Sequence, residues 1–465
     1  MQQTVQQERK RSRWRTPLEA GRSVRRSADG RRPCTDGERG GARVSLWQGL
    51  RLWVESLVGA LADPGFLMWL GLVMLLIYWQ YRRQAAFEEM RLGRAALSPW
   101  RETFDSLLAG LLAGVAGALV LLVLGVSVLD AGIQYLWPLA LALMFIHPRY
   151  LCFAYAGGLI GLVRLIWGVP AAVEIAPLTA LVAVLHGIEA ILVWLDGASH
   201  PQALYVRTPA GQTVGGYLLQ RAWPIPMVGL AILFASQTEI QGLAEHIRNV
   251  ATPDWWPLVS SREVPAGLQP LVIIVPLVAA LGYSDLTVTR PPAAKARRSA
   301  LHLGVYSLLL VVLALIASRI SWIGYLAVVA MPLGHELVIL LGQRAETRGR
   351  PIYTATAHRG VGVLEVKPGS PAQVMGLQRG DLITAANGIP VGDFEELNQA
   401  LAPWTVGVTL EVERGGRRRP VHYEGKVPPL GILTTPLPLG EEFPAVPLPE
   451  DTWINAILRV RRRWR

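Results

Sequence analysis

Charge is scarce in this chain: of 465 residues only 17% are Asp, Glu, Lys or Arg, against 51% that are hydrophobic. A soluble chain of this length would divide into about three domains. With a mean hydropathy of +0.33, the composition points instead to repeated crossings of a bilayer. Cysteine is scarcer still. Cys34 and Cys152 are too few for a disulfide framework, Cys152 lies inside an apolar stretch, and the two have no metal-ligand spacing, so no cysteine chemistry is expected. Also lacking is an apolar stretch of signal-peptide length directly after the basic N-terminus, so no secretory signal is expected.

What is present changes character along the sequence. Residues 1–45 read as a disordered basic arm: twelve Lys and Arg stand against five acids up to Arg43, with no apolar periodicity. A solvated tail, or a start placed upstream of a true beginning near Val44, is preferred here over a nucleic-acid or lipid-binding arm. Residues 46–65 read as an interfacial helix, because Leu46, Trp47, Leu50, Trp53, Val54, Leu57, Val58 and Leu61 share one helical face before Asp63-Pro64-Gly65. Residues 66–345 then read as a helical transmembrane domain. Its candidate spans are 66–81, 107–129, 133–146, 150–168, 175–195, 223–236, 268–283, 301–317 and 320–342, giving eight or nine crossings. Alternate loops carry 12 and 3 Lys or Arg. The richer set is expected to be cytoplasmic, together with everything after the last span.

Ionisable groups at bilayer depth are costly, about 2.5 to 3.5 kcal/mol each on insertion scales, and call for a reason. Two pairs stand out: His186 with Glu189, one turn apart in LHGIEAILVWL, and His335 with Glu336 in MPLGHELVILLG. A membrane zinc protease would show HExxH there, with the second imidazole one turn after the first. Ile339 occupies that position and cannot ligate. His186 can in principle join His335 across helices, but that is not how such proteases build their zinc site. No metal and no cofactor are expected, and the four residues read as structural polar contacts between helices. A transporter would show internal repeats or paired broken helices; Trp223-Pro224-Ile225-Pro226 is one break without a mate.

The only long stretch with soluble character follows the last span. Gly360 to Val366 reads as a strand. Ser370, Pro371 and Gln373 then open a short helix, Leu382 to Ala386 a second strand, and Asn387-Gly388 a tight turn. Asp393 caps a second helix with Phe394, Leu397, Ala400 and Leu401 on one face. Val408–Glu413 and Pro420–Glu424 complete a small sheet around Gly415-Gly416. The pattern PGSPAQVMGLQRGDLITAANGIPV resembles bacterial PDZ domains over residues 353–427. The resemblance implies a small α/β fold that captures a peptide, often the C-terminus of a protein, as an added strand. The groove is then expected between the strand edge at Gly360, Val361, Gly362, Val363 and Leu364 and the helix residues Phe394, Leu397 and Asn398.

The order of parts carries a broader resemblance. LHGIEAILVWLDG, QTVGGYLLQRAWPIP and MPLGHELVILLG leading into the PDZ module are similar to the polytopic PDZ membrane proteins of Gram-positive bacteria of the MinJ type. The resemblance implies a cytoplasmic PDZ domain on a bacterial plasma-membrane protein, an adaptor in division-site selection with no enzymatic activity, and DivIVA-like and Min-system partners. A divergent metalloprotease relative and a transporter are the alternatives. Residues 428–452 read as a proline-rich linker, in which Leu430-Gly431-Ile432-Leu433 resembles the carboxylate-binding loop of bacterial PDZ domains. Residues 453–465 read as a basic amphipathic tail, whose Arg459, Arg461, Arg462, Arg463 and Arg465 suit anionic lipid.

Overall fold

The computed structural model describes residues 54–56, 58–93, 97–236, 256–259, 266–354, 360–402, 406–426, 429–435 and 445–448. The basic arm, the amphipathic tail with its five arginines and, of the interfacial stretch, residues 46–53 and 57 lie outside the described residues.

Among the described residues five helices are long and apolar enough to cross a membrane: α1 (Pro64–Leu92), α2 (Pro99–Leu124), α5 (Ile175–Asp196), α6 (Pro292–Ala317) and α7 (Ile323–Arg348). Two shorter apolar helices, α3 (Ile133–Met144) and α4 (Phe153–Trp167), lie between them in sequence. Proline occupies the first turn of α1, α2 and α6, where its missing N–H costs nothing. Asp63 caps α1 by accepting the Phe66 N–H at 2.6 Å.

The segments 223–236 and 268–283, expected as helical spans, are strands. β1 (Gln202–Arg207), β2 (Thr213–Ala235) and β3 (Gln269–Thr287) form an antiparallel meander, with β2 and β3 paired from Tyr217↔Thr287 to Ala235↔Gln269. Among the described residues these two segments are not helical, and the count of eight or nine spans is not confirmed. The prolines explain the choice. In a helix interior, Pro224, Pro226, Pro270 and Pro276 would each break the hydrogen-bond ladder. In the ribbon they do not. Ala222 donates its N–H to Tyr81 Oη at 3.2 Å, away from β3, so every second residue from 222 turns its backbone polar groups outward. Pro224 and Pro226 lie on that alternation, and so do Pro276 and Pro270, which oppose Val228 and Phe234. None of the four removes a ladder bond.

Those outward carbonyls are covered by α2. A Cβ on Gly110 would stand 1.8 Å from the Pro224 carbonyl oxygen, and one on Gly114 2.3 Å from that of Pro226. Only glycine admits so close an approach, the packing device that membrane helices use against one another. Trp223, Ile225, Met227 and Val228 are buried in one core with α2, α5 and α6.

Two charge clusters tie the ribbon to the helices. Arg221 on β2, 4% exposed, bridges Glu102 of α2 and Asp196 of α5, each at 2.8 Å. Asp196 also accepts the Trp223 indole N–H at 2.7 Å. Lys295 at the start of α6 joins Asp285 of β3 and Glu346 of α7 at 3.1 and 3.4 Å. Glu346 in addition accepts both backbone N–H groups of Val288 and Thr289.

The C-terminal module comprises β4 (Val361–Val366), α8 (Pro371–Val374), β5 (Leu382–Ala386), β6 (Ile389–Pro390), α9 (Phe394–Leu401), β7 (Val406–Arg414), β8 (Arg417–Lys426) and β9 (Ile432–Thr435). Its sheet runs in the order β8-β7-β5-β4-β9, with β6 beside β5. A last strand, β10 (Val446–Pro447), pairs in parallel with β1. The stretch after 427, expected as a plain linker, thus supplies one strand to each of the two sheets.

Candidate functional site

The module's local structure follows its capping residues. Ser370 Oγ accepts the Gln373 N–H at 3.4 Å and Gln373 Oε1 accepts the Gly369 N–H at 2.6 Å. Asp393 accepts the Glu396 N–H at 2.8 Å, while Glu396 reaches back to the Gly392 N–H at 2.6 Å. Both are capping boxes shifted one residue outward. Asn387 and Gly388 take positive φ in the β5–β6 turn. Arg414 and Asp381 form a two-pronged pair at 2.6 Å, and that hydrogen bond raises the Arg414 guanidinium above its usual range.

The expected groove edge is occupied. β4 pairs with β5 on one side and with β9 on the other, with Gly362↔Thr435 and Val366↔Ile432 in register. The Val363 N–H, expected to meet a peptide, is donated to the Asp381 carbonyl at 2.8 Å. Val361, Val363 and Leu397 are core residues and Phe394 packs partly against them. Gly360 lies so near the Ile383 carbonyl that a Cβ would fall 2.3 Å from it. Leu364 faces away, against Tyr205 and Tyr217 of the meander. Of the expected contacts Asn398 alone is exposed. The physical reason lies downstream in the sequence. Leu430 and Ile432 bury against the module's core, and β9 adds the strand that a bound peptide was expected to supply. Among the described residues β9 is the last strand of this sheet.

The module is fixed to the meander. Tyr217 Oη donates to the Leu364 carbonyl and Tyr205 Oη to that of Thr434 at 2.8 Å, while Gly215 donates its N–H to Tyr353 at 2.8 Å. Burial pushes the Tyr217 phenol up, so it stays a neutral donor. Arg379 pairs with Glu365 at 2.7 Å and stands 5.8 Å from the centre of the Tyr217 ring.

Residues 362–414 match the PDZ domain family. The module is a PDZ domain. The chain is also 28% identical over 255 residues to the cell division topological determinant MinJ of Bacillus subtilis strain 168, an alignment that takes in 52% of this chain and 59% of that protein. The chain therefore spans less than two thirds of that relative's length.

Inside the helical domain the expected pairs separate. His186 does not pair with Glu189, which lies half-buried one turn along α5. Instead its Nδ1 donates to the Val182 carbonyl at 2.7 Å. Glu336 turns from His335 to Tyr155 Oη at 2.6 Å and Arg149 at 3.1 Å. With one oxygen on a phenol and the other beside a guanidinium, it is not free to act as the base of a metalloprotease. His186 and His335 do meet across helices, ring centroids 5.3 Å apart. Cys152, for which spacing predicts no chemistry, stands between them, with Sγ 3.1 Å from His186 Nε2 and 3.6 Å from His335 Nε2. Small residues allow this. Gly158 and Gly161 of α4 lie against Pro332 and Val328 of α7, where a Cβ would stand 2.6 Å from either side chain. Cys152, Tyr155, Arg149 and the Arg221 cluster carry no recognisable spacing; what marks Arg221 is its charge within QRAWPIP.

Proposed function

We propose that this chain is a membrane-anchored adaptor of division-site selection, without enzymatic activity, whose cytoplasmic PDZ domain holds the peptide of a division protein, of the DivIVA-like or Min-system kind. The reading rests on a PDZ domain fastened to a helical membrane domain in a protein similar to MinJ. Since β4 is paired on both sides, the docking edge is the outer side of β9 around Gly431, Ile432 and Leu433, and α9 with Asn398 selects among peptides. The arginines of the tail from Arg459 to Arg465 add attraction to anionic lipid.

The test is capture of partners from native membranes by the full-length protein. Gly431 has φ +77° and a Cβ there would stand 2.3 Å from the Ser370 Cβ, so Gly431→Val dislodges β9 while the segment matched to the PDZ family, which ends at Arg414, keeps its own strands. Division proteins captured by the wild type should be lost both from this variant and from a protein lacking the PDZ domain. Equal capture by all three would sink the proposal.

A further inference from the structure

Three Lewis bases converge inside the helical domain, and their hydrogen bonding leaves them short of protons. His186 Nδ1 faces the Val182 carbonyl, which can only accept, so the proton is on Nδ1 and the Nε2 lone pair is bare. Tyr155 donates its hydroxyl to Glu336, so its oxygen accepts from His335 Nδ1 at 3.3 Å. His335 Nε2 is bare too. Both lone pairs point at Cys152 Sγ, and the ligand atoms of the three residues lie within 4.8 Å of one another. A thiol has one proton and can satisfy one of the two imidazoles; the other is left facing sulfur. His186, at 2% exposure, has no route to water instead.

We infer that Cys152, His186 and His335 bind one thiophilic d10 metal ion, Cu(I) in preference to Zn(II), tying together the start of α4 and the middles of α5 and α7. A metal replaces the single proton and engages all three bases. Bonds of about 2.3 Å to sulfur and about 2.0 Å to nitrogen place S and N about 3.5 Å apart at a tetrahedral angle and about 3.7 Å apart at the trigonal angle of a three-ligand site; the 3.6 Å to His335 matches this, and the 3.1 Å to His186 opens by about half an ångström as the metal enters. The surroundings are those of ligating groups. Each imidazole gives its far N–H to an oxygen, one to a backbone carbonyl and one to a phenol that is itself held by a carboxylate, and the Ala154 N–H points at Sγ at 3.4 Å, as suits a thiolate. Charge selects the ion. Cu(I) with one thiolate and two neutral imidazoles is neutral, whereas Zn(II) leaves a net positive charge in a low-dielectric interior, where an unpaired charge is costly.

The full-length protein, carrying Cys34→Ser so that Cys152 is its sole thiol, is purified in detergent, reduced, loaded anaerobically with Cu(I) or Zn(II), desalted and assayed for metal per molecule. One copper per molecule is expected, held against a Cu(I) chelator, and absent after Cys152→Ser or His335→Gln. Tyr155→Phe, which removes a positioning group and no ligand, should keep the stoichiometry and weaken affinity about 10- to 100-fold. X-ray absorption at the copper edge of the Cys34→Ser protein, which depends on no ligand variant folding, should find one sulfur and two imidazole nitrogens. Zinc retained in preference to copper overturns the choice of ion. Neither metal retained, or copper without a sulfur neighbour, overturns the site.

Discussion

Arg221 holds two carboxylates from different helices and is almost without solvent. Removing a partner from such a buried cluster leaves charge uncompensated, at about 3–5 kcal/mol. Arg221→Ala should therefore lower the thermal midpoint of the detergent-purified protein far more than Arg418→Ala on the exposed strand β8, where about 0.5 kcal/mol is expected. Equal midpoints would show that the cluster contributes nothing. Val363 has the opposite lesson. Its N–H belongs to the domain's own fold, so Val363→Pro should unfold the PDZ domain, read as protease sensitivity between residues 360 and 426, and cannot serve as a test of peptide capture. At this scale the sequence is legible where chemistry is local. Ser370, Gln373, Asp393 and Glu396 form their caps within four residues. The partners of His186 and His335 come from 34 to 183 residues away through Cys152, and no spacing rule reaches across that.

Among the elements, the helices can be read because their apolar runs are long and unbroken, and the PDZ strands because turn residues bracket them. The β2–β3 ribbon departs from what its hydropathy suggests. Both strands are as apolar as spans, periodicity alone does not separate a buried strand from a buried helix, and their lengths of 23 and 19 residues favour the helix. The separating signal is parity: Pro224 and Pro226 are two apart, as are the outward positions of a strand, while Pro270 and Pro276 keep the same alternation. The ribbon predicts a specific cross-link. Leu230 and Ile274 are direct partners on the non-hydrogen-bonded alternation, where strands approach most closely, at about 4.5 Å between Cα atoms. In a protein with both native cysteines changed to serine, Leu230→Cys with Ile274→Cys should form an internal disulfide on mild oxidation, detected by mass spectrometry. Leu230→Cys with Val275→Cys, one position out of register, should form far less. Two separate helices would show no such preference. Within the PDZ domain, Asn398→Leu on the exposed face of α9 should change which peptides are captured while moving the domain's stability by only about 0.5 kcal/mol.

For the molecule as a whole, the proposed cytoplasmic side of the PDZ domain rests on the positive-charge count of the sequence. The count groups the domain with the loops 82–106, 196–222 and 284–300, provided that the β2–β3 ribbon, like the pair of spans expected there, returns the chain to the side it left. A reporter fused after Gly425 should be active only if it is of the cytoplasmic type; activity of an extracytoplasmic reporter there would reverse the topology and remove any division protein of the cytoplasm as a partner. The docking of the two parts is not legible in the sequence at all, since it runs through tyrosines. Tyr217→Ala removes a hydroxyl bond to Leu364 and the ring beneath Arg379. Hydrogen exchange should then rise in 349–354 and in β9, and not in the β2–β3 ribbon.

The chain reaches the PDZ domain from α7, runs out of its sheet through β9, and returns to lay β10 along β1. A domain on a single flexible leash samples a cloud of positions and presents its cargo at every angle. Held from both ends, it works as a bracket of set reach. In the proposed adaptor role, a peptide added to β9 would be held in one orientation relative to the helical domain rather than at random.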